Sequence, residues 1–441
     1  MGQQAAAEAI HELPMVTDPD LNHYVTTLGD SLASVADTRG LEWHFYIVDS
    51  PQINAFALPG GYVGVNSGLL LATNNENELA GVLAHEVSHV TQRHIARAIY
   101  DNERTSIVSM AAMLAAILLG AASNVHGDAV TGAVMGAQGL AQQHQINFTR
   151  ANEIEADRVG MELLSSAGFD PNGMSSFFEE IGKRYGAQEQ YVPALLQSHP
   201  VTSERIAEAR ARARQLPQTK YSDSVAYGLA KVRLQVLSAP TPEAAYALFR
   251  DKGESKIPAE RYGLALSQMR LNLNDNAERI MHDLATQYPT VIAYRIGQAE
   301  AAMASGSTDE ALSHYKDAER LFPRNVPLTI SYADALIAAG QASAAHSLLL
   351  DLLNNVEATP EQLRLIARAA NAEGDVGDAY YYMSYYYGAI GNLPLAISQV
   401  RLALETPGVH TVERERFKAR LQELIEYLPP EQRRAAARAS P

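Results

Sequence analysis

The stretch 79–100, LAGVLAHEVSHVTQRHIARAIY, decides the reading of the first half of the chain. Leu79, Val82, Leu83 and Val90 recur at helical spacing, and the acidic turn Glu76–Leu79 after ATNNEN supplies a capped start. On that helix His85 and His89 are four apart and share a face, so both imidazoles can point at one ion. Glu86 lies about 100° around the axis from His85, placed to reach a water on the ion rather than the ion itself. This is the H-E-x-x-H arrangement, in which zinc lowers the pKa of a water to near 7 and the carboxylate takes its proton. The competing reading is an exposed polar helix face.

A catalytic zinc takes three protein ligands and keeps one open position. The third is expected from TRANEIEADRVGMELLSSAGFDP, residues 149–171, a second helical pattern. Glu153 and Asp157 are four apart on it, again one face. Glu153 would complete a His2Glu site. Asp157, one turn on, would accept an N–H from a ligating histidine. Alone, Glu153, Glu155 and Asp157 would read as a solvated acidic face; beside H-E-x-x-H the metal reading is preferred. There is no cysteine, so thiolate ligands and disulfides are excluded and any metal must sit on His, Asp and Glu.

Working outward, LEWHFYIVD (41–49) reads as a strand, and NAFALPGGYVGVNSGLLLAT (54–73) as strand, Gly-Gly turn, strand. Helical patterns lie near 17–39 and 75–105 and resume after residue 145. SIVSMAAMLAAILLGAA, from Ser106 to Ala122, is shorter than the ~20 residues of a membrane span. It reads as a lid or buried hairpin, with membrane contact or a true span as the alternatives. The start, MGQQAAAEAI, lacks a basic and then apolar leader pattern, which fits a cytoplasmic protein or one whose signal peptide has been removed. The net charge of −15 argues against binding nucleic acid through its phosphates.

From about Ser222 onward a repeat appears. Gly306, Gly340 and Gly374 are 34 apart, as are Ala277, Ala311, Ala345 and Ala379, and Pro289 and Pro323, each after an aromatic residue. A helix–turn–helix of 34 residues is the tetratricopeptide period, and such arrays stack into a solenoid. GNLPLAISQVRLALETPG (391–408) repeats the grammar half a period late. The register therefore slips once, or a helix is inserted near 360–373. In YYYMSYYYGAIGN (380–392) six tyrosines cannot all face a core, so some are expected at the groove. The expected fold is an α+β zincin-type metallopeptidase domain, mostly helical with a small sheet, over 1–217. Its apolar lid or membrane-facing segment covers about 101–148. An all-α tetratricopeptide solenoid follows over 218–441.

HEVSH, NEIEADRVG and the preceding NAFALPGGYVGVNSGLL together resemble the zinc metallopeptidases related to the CAAX prenyl protease. With the repeats behind them, they resemble the periplasmic members that serve outer-membrane β-barrel assembly in Gram-negative bacteria. The resemblance implies one Zn2+ per chain on His85, His89 and Glu153, Glu86 as general base, and Asp157 behind a ligand. In QSHPVTSERI (197–206) it implies that His199 acts at the metal, as a fourth ligand in a latent state or in the transition state. It also gives a role to Asn54, Ala55, Phe56, Ala57 and Leu58, or else to Tyr62–Val65, as an edge strand that pairs with substrate, unless that strand is interior. The implied activity is zinc endopeptidase with a chaperone-like role. Misassembled outer-membrane proteins would be its substrates, and the barrel assembly machinery would be bound by the repeats. A latent protease acting mainly as a scaffold is the alternative. Peripheral membrane contact would run through 106–122. The prenyl-protease branch spans the membrane repeatedly and this chain does not, so prenylated substrates are not expected.

Overall fold

A computed structural model describes residues 13–38, 40–101, 150–185, 193–217, 219, 222–428 and 433. The apolar stretch 106–122, and nearly all of the lid expected over 101–148, lie outside the described residues. The chain divides into two compact units, Met1–Ser238 and Ala239–Pro441.

The first unit is built around one helix. Its described elements are α1 (Pro19–Ala33), β1 (His44–Val48), β2 (Ala55–Leu58), β3 (Tyr62–Asn66), α2 (Ser67–Ala72), α3 (Glu76–Thr91), α4 (His94–Asp101), α5 (Arg150–Ser166), α6 (Asn172–Tyr185), α7 (Ala194–Ser198), α8 (Ser203–Ala213) and α9 (Val225–Ser238). Asn75 caps α3 by accepting from the Glu78 N–H, and Glu76 and Glu78 lie in its first turn, where the helix dipole favours acids. The sequence shows one apolar face on α3, yet every residue from Glu76 to His89 is buried, because α1, α5, α6 and β2 surround it. Two glycines permit that crowding. A Cβ on Gly81 would meet Met174 Cα and N at 2.8 Å, and one on Gly160 would meet the Ala84 carbonyl at 3.1 Å. The helices that carry the expected ligands can therefore approach almost backbone to backbone.

The sheet order is β1-β3-β2, with β1 and β3 parallel and β2 and β3 antiparallel around the Gly60-Gly61 turn. Tyr62–Val65 is therefore in the central strand, and Ala55–Leu58 is an outer strand beside α3. All four residues of β2 are buried.

The helical pattern over 75–105 breaks. α3 stops at Thr91, and Arg93 takes a positive φ of 55° before α4 begins. No glycine or proline marks this break. Helix α9, which lies beyond the boundary expected at residue 217, packs within the first unit. Arg233 Nε holds Asp18 at 2.8 and 2.9 Å, the Tyr227 hydroxyl meets Thr73, and Ser224 and Tyr24 donate to the buried Glu76. The front of α3 is thus tied to both ends of its unit.

The second unit is all-helical among the described residues. A short helix, α10 (Pro242–Phe249), precedes α11 (Pro258–Arg270), α12 (Asn274–Gln287), α13 (Ile292–Ala304), α14 (Thr308–Leu321), α15 (Val326–Ala338), α16 (Ala342–Leu353), α17 (Pro360–Glu373), α18 (Val376–Ala389), α19 (Leu393–Glu405) and α20 (Thr411–Tyr427). Gly306, Gly340 and Gly374 turn between paired helices with φ of 82°, 76° and 97°, which a Cβ would strain. Ala277, Ala311 and Ala345 are wholly buried between helices. No helix is inserted at 360–373: α17 is the normal first helix of its pair, since Gly374 keeps the period. The slip lies at α18, beyond which a second glycine turn stands at Gly391 (φ 76°), so α18 closes one pair and opens the next. Of its six tyrosines, Tyr381 and Tyr382 are buried and the other four are half-buried. Arg416 lies over Tyr381 and Arg420 over Tyr385, at 4.4 and 3.8 Å from the ring centres. Among the described residues no helix is long and apolar enough to cross a membrane.

Candidate metal centre

Helix α3 presents His85 and His89 with their Nε2 atoms 3.0 Å apart. Helix α5 brings Glu153 against them, Oε2 at 3.6 Å from His85 Nε2 and Oε1 at 3.5 Å from His89 Nε2. His199, at the C-terminal end of α7, places Nδ1 2.9 Å from Glu153 Oε1 and 3.4 Å from His85 Nε2. The four donor atoms lie within 4.8 Å of one another, and all four residues are buried. Donors on a tetrahedral zinc at 2.0–2.1 Å would stand about 3.3 Å apart. Imidazole nitrogens and a carboxylate converging at that spacing fit a divalent cation once His85 gives up its proton.

Glu86 lies beside this set and is 1% exposed. Its Oε1 is 3.7 Å from His199 Nε2 and makes no hydrogen bond to a described residue. Burial pushes the Glu86 carboxyl up, against the pull of His199 and His85. A buried carboxylate with a free oxygen and a raised pKa is suited to taking a proton.

The surrounding groups fix the donors. Asp157 Oδ1 sits 2.9 Å from His85 Nδ1. For the protein groups alone, burial pushes His85 down, but Asp157 and Glu153 outweigh it and raise the imidazole to about 10. Burial would raise Glu153, yet His199 and His85 hold it well below the usual carboxylate range. Burial and the neighbouring His85 and His199 push His89 well down.

Two residues of this surround escaped the sequence reading. Arg205 on α8 grips Asp157 with Nε and Nη2, both at 2.7 Å. Its Nη1 lies 2.8 Å from Glu153 Oε2 and donates to the Pro200 carbonyl at 2.8 Å. A single guanidinium thus holds the expected ligand carboxylate, the carboxylate behind His85, and the segment carrying His199. The only sequence signal was its position six residues after His199 in QSHPVTSERI. The second is His94, whose Nδ1 lies 2.9 Å from His89 Nδ1 and whose Nε2 lies 3.1 Å from Glu155 Oε2. It was hidden because the sequence predicts an unbroken helix, which would turn His94 away from His89.

A helix-borne H-E-x-x-H pair closed by a carboxylate from a facing helix, in a chain that continues into helical repeats, defines a metallopeptidase with a repeat array. The profile of peptidase family M48 matches residues 19–213, and that of a tetratricopeptide repeat matches 302–369. The beta-barrel assembly-enhancing protease of Escherichia coli (strain K12) is 31% identical over 431 residues, covering 96% of this chain and 87% of that protein. The putative beta-barrel assembly-enhancing protease of Vibrio cholerae is 38% identical over 281 residues, covering 63% of this chain and 57% of that one. Among solved structures, a thermophilic tetratricopeptide protein of Thermus thermophilus covers 43% of this chain and 97% of its own, with 26% identity and a TM-score of 0.28. The repeat assignment rests on the profile and the helix pairing rather than on that likeness. The chain belongs to peptidase family M48, among the relatives called beta-barrel assembly-enhancing proteases, and it is a metalloprotease.

Proposed function

We propose that this protein is a zinc-dependent endopeptidase of the Gram-negative periplasm, acting in the assembly and quality control of outer-membrane β-barrel proteins. The observation that carries the reading is the convergence of His85, His89, Glu153 and His199 within 4.8 Å, beside the buried Glu86. In this reading His85, His89 and Glu153 hold one Zn2+. When bound, the ion supplies Lewis acidity to a water and to the peptide carbonyl. Glu86 takes the proton of the attacking water and passes it on to the leaving amine. Asp157 and Arg205 hold His85 and Glu153 in place. Residues Asn54–Leu58 pair with an extended substrate, because β2 is an outer strand of the sheet. The repeats bind protein partners, with misassembled barrel proteins and the assembly machinery as the classes that the relatives' name supports.

His199 stands as a fourth candidate donor where a catalytic metal would keep an open position, which favours a resting state that is latent and a protein that acts as a scaffold until the histidine leaves. The test is casein cleavage with zinc by wild type, His199→Ala and Glu86→Gln. Glu86→Gln should keep zinc and lose cleavage, and retained cleavage in a clean preparation sinks the peptidase mechanism. A His199→Ala protein much faster than a nearly silent wild type supports latency. A slower one assigns His199 to the transition state instead.

A further inference from the structure

Five residues beyond His89 on an unbroken helix, a side chain would lie about 140° around the axis and face away. The break at Gln92–Arg93, with Arg93 held at φ 55°, returns His94 to the rear of His89. His94 is wholly buried there. A non-glycine residue in the left-handed region is uncommon, and here it produces a specific contact.

For a neutral His94 the contact has one consistent proton arrangement. His89 Nδ1 and His94 Nδ1 are 2.9 Å apart, so one must donate and the other accept. His94 Nε2 faces Glu155 Oε2 at 3.1 Å, and that oxygen also accepts from Arg97 Nη2 at 2.8 Å. A carboxylate only accepts, so His94 carries its proton on Nε2. Its Nδ1 then accepts from His89, which carries its own proton on Nδ1. The Nε2 of His89, the atom facing His85 and Glu153, then carries a lone pair rather than a proton.

We infer that His94 and Glu155 form a relay that fixes the tautomer and ring orientation of His89 and so tunes its grip on the metal. His94 is a positioning residue that does not touch the ion. The inference rests on the proposed role of His89 as a ligand. His85 is fixed by a different device, since Asp157 meets its Nδ1 directly. Glu155 lies two residues from Glu153, on another side of α5, and reaches His89 only through the interposed imidazole.

The test uses the full-length protein, stripped with a chelator and titrated with Zn2+ against a chromogenic chelator. His94→Ala should weaken zinc binding by about 10–100-fold, the usual cost of losing the partner behind a ligating histidine. His94→Asn should recover most of it, because its Oδ1 can stand where Nδ1 accepts. Glu155→Gln should fall between, because an amide can also donate to His94 and reverse the chain. Spectra of protein carrying 15N-histidine, with the His89 signal assigned by its loss in His89→Ala, should show an Nδ1–H in wild type and a tautomer mixture in His94→Ala. Zinc binding unchanged in His94→Ala but lost in His89→Ala overturns the relay alone. Binding unchanged in both overturns the ligand assignment beneath it. If His94→Ala does not fold, His94→Asn and Glu155→Gln decide: an asparagine variant that folds yet binds no better than Glu155→Gln assigns His94 to packing.

Discussion

Replacing Arg205 with methionine should destabilise the first unit strongly. Methionine keeps the stem volume but loses the guanidinium that lies over Phe178, its carbon 5.1 Å from the ring centre. What it removes is the charge facing two buried carboxylates. Arg205 and Glu153 are 2% and 3% exposed in their side chains, and Asp157 is 9% exposed. Removing Arg205 leaves two buried carboxylates with the His85 imidazolium but no guanidinium to face them, and breaking such a cluster costs about 3–5 kcal/mol. Asp157 and Glu153 are held below their ordinary values of 3.8 and 4.5 in the folded state. Depressed carboxylates contribute stability that is fully present above those values and is lost only as pH falls below them, so the whole effect is present at pH 7.5. Trp43 is the single tryptophan and packs on Phe45 in the first unit, so its fluorescence follows that unit and not the repeats. With a urea slope near 3 kcal/mol per M for a unit of this size, the midpoint should fall by about 1–2 M. The measurement is made with a chelator present, so that altered metal affinity does not enter. Arg205→Lys should fall between, because an ammonium cannot span both carboxylates. A methionine variant whose midpoint stays within about 0.3 M of wild type would mean that these charges are hydrated in solution, and the account of the surround would be wrong.

Zinc affinity should rise as pH rises from 7 to 9, by close to tenfold per unit, because His85 sits at about 10 without a metal and must release its proton to coordinate. Calorimetry in two buffers of different ionisation heat should count about one proton released, and a flat affinity would contradict the His85–Asp157 pairing. Gly81→Ala should cost about 1–3 kcal/mol, since its Cβ would meet the α6 backbone at 2.8 Å rather than a yielding side chain. Urea unfolding at Trp43 checks this, and an unchanged midpoint would mean that α3 and α6 are looser than their glycine contact implies.

The parts legible in the sequence are those set by local periodicity. His85 and His89 share a face because any helix places i and i+4 together, and Glu153 and Asp157 follow from the same rule on α5. Gly306, Gly340 and Gly374 announce the repeat because a left-handed turn excludes a Cβ, so the steric requirement is written as one residue type at one spacing. The sheet was likewise legible as strand, Gly-Gly turn, strand. Its order was not, because nothing local places Tyr62–Asn66 in the middle or buries both faces of Ala55–Leu58.

The groups that escaped are set by tertiary contact or by a backbone break with no sequence mark. Arg205 stands among other arginines on α8, and its charge reads as a solvated helix face. Only the packing of α8 against α5 shows that it is buried on Asp157 and Glu153. His94 was obscured by the opposite error, in which a strong local pattern was extended too far. The helical signal across 79–100 is genuine for both α3 and α4, and Arg93 is not a residue that ends helices by propensity. The break is held by the next residue, since His94 bonded to His89 and Glu155 offsets the cost of the left-handed Arg93. The sequence therefore shows the groups that could touch the metal, whereas the groups that orient them come from places where the chain departs from its own periodicity.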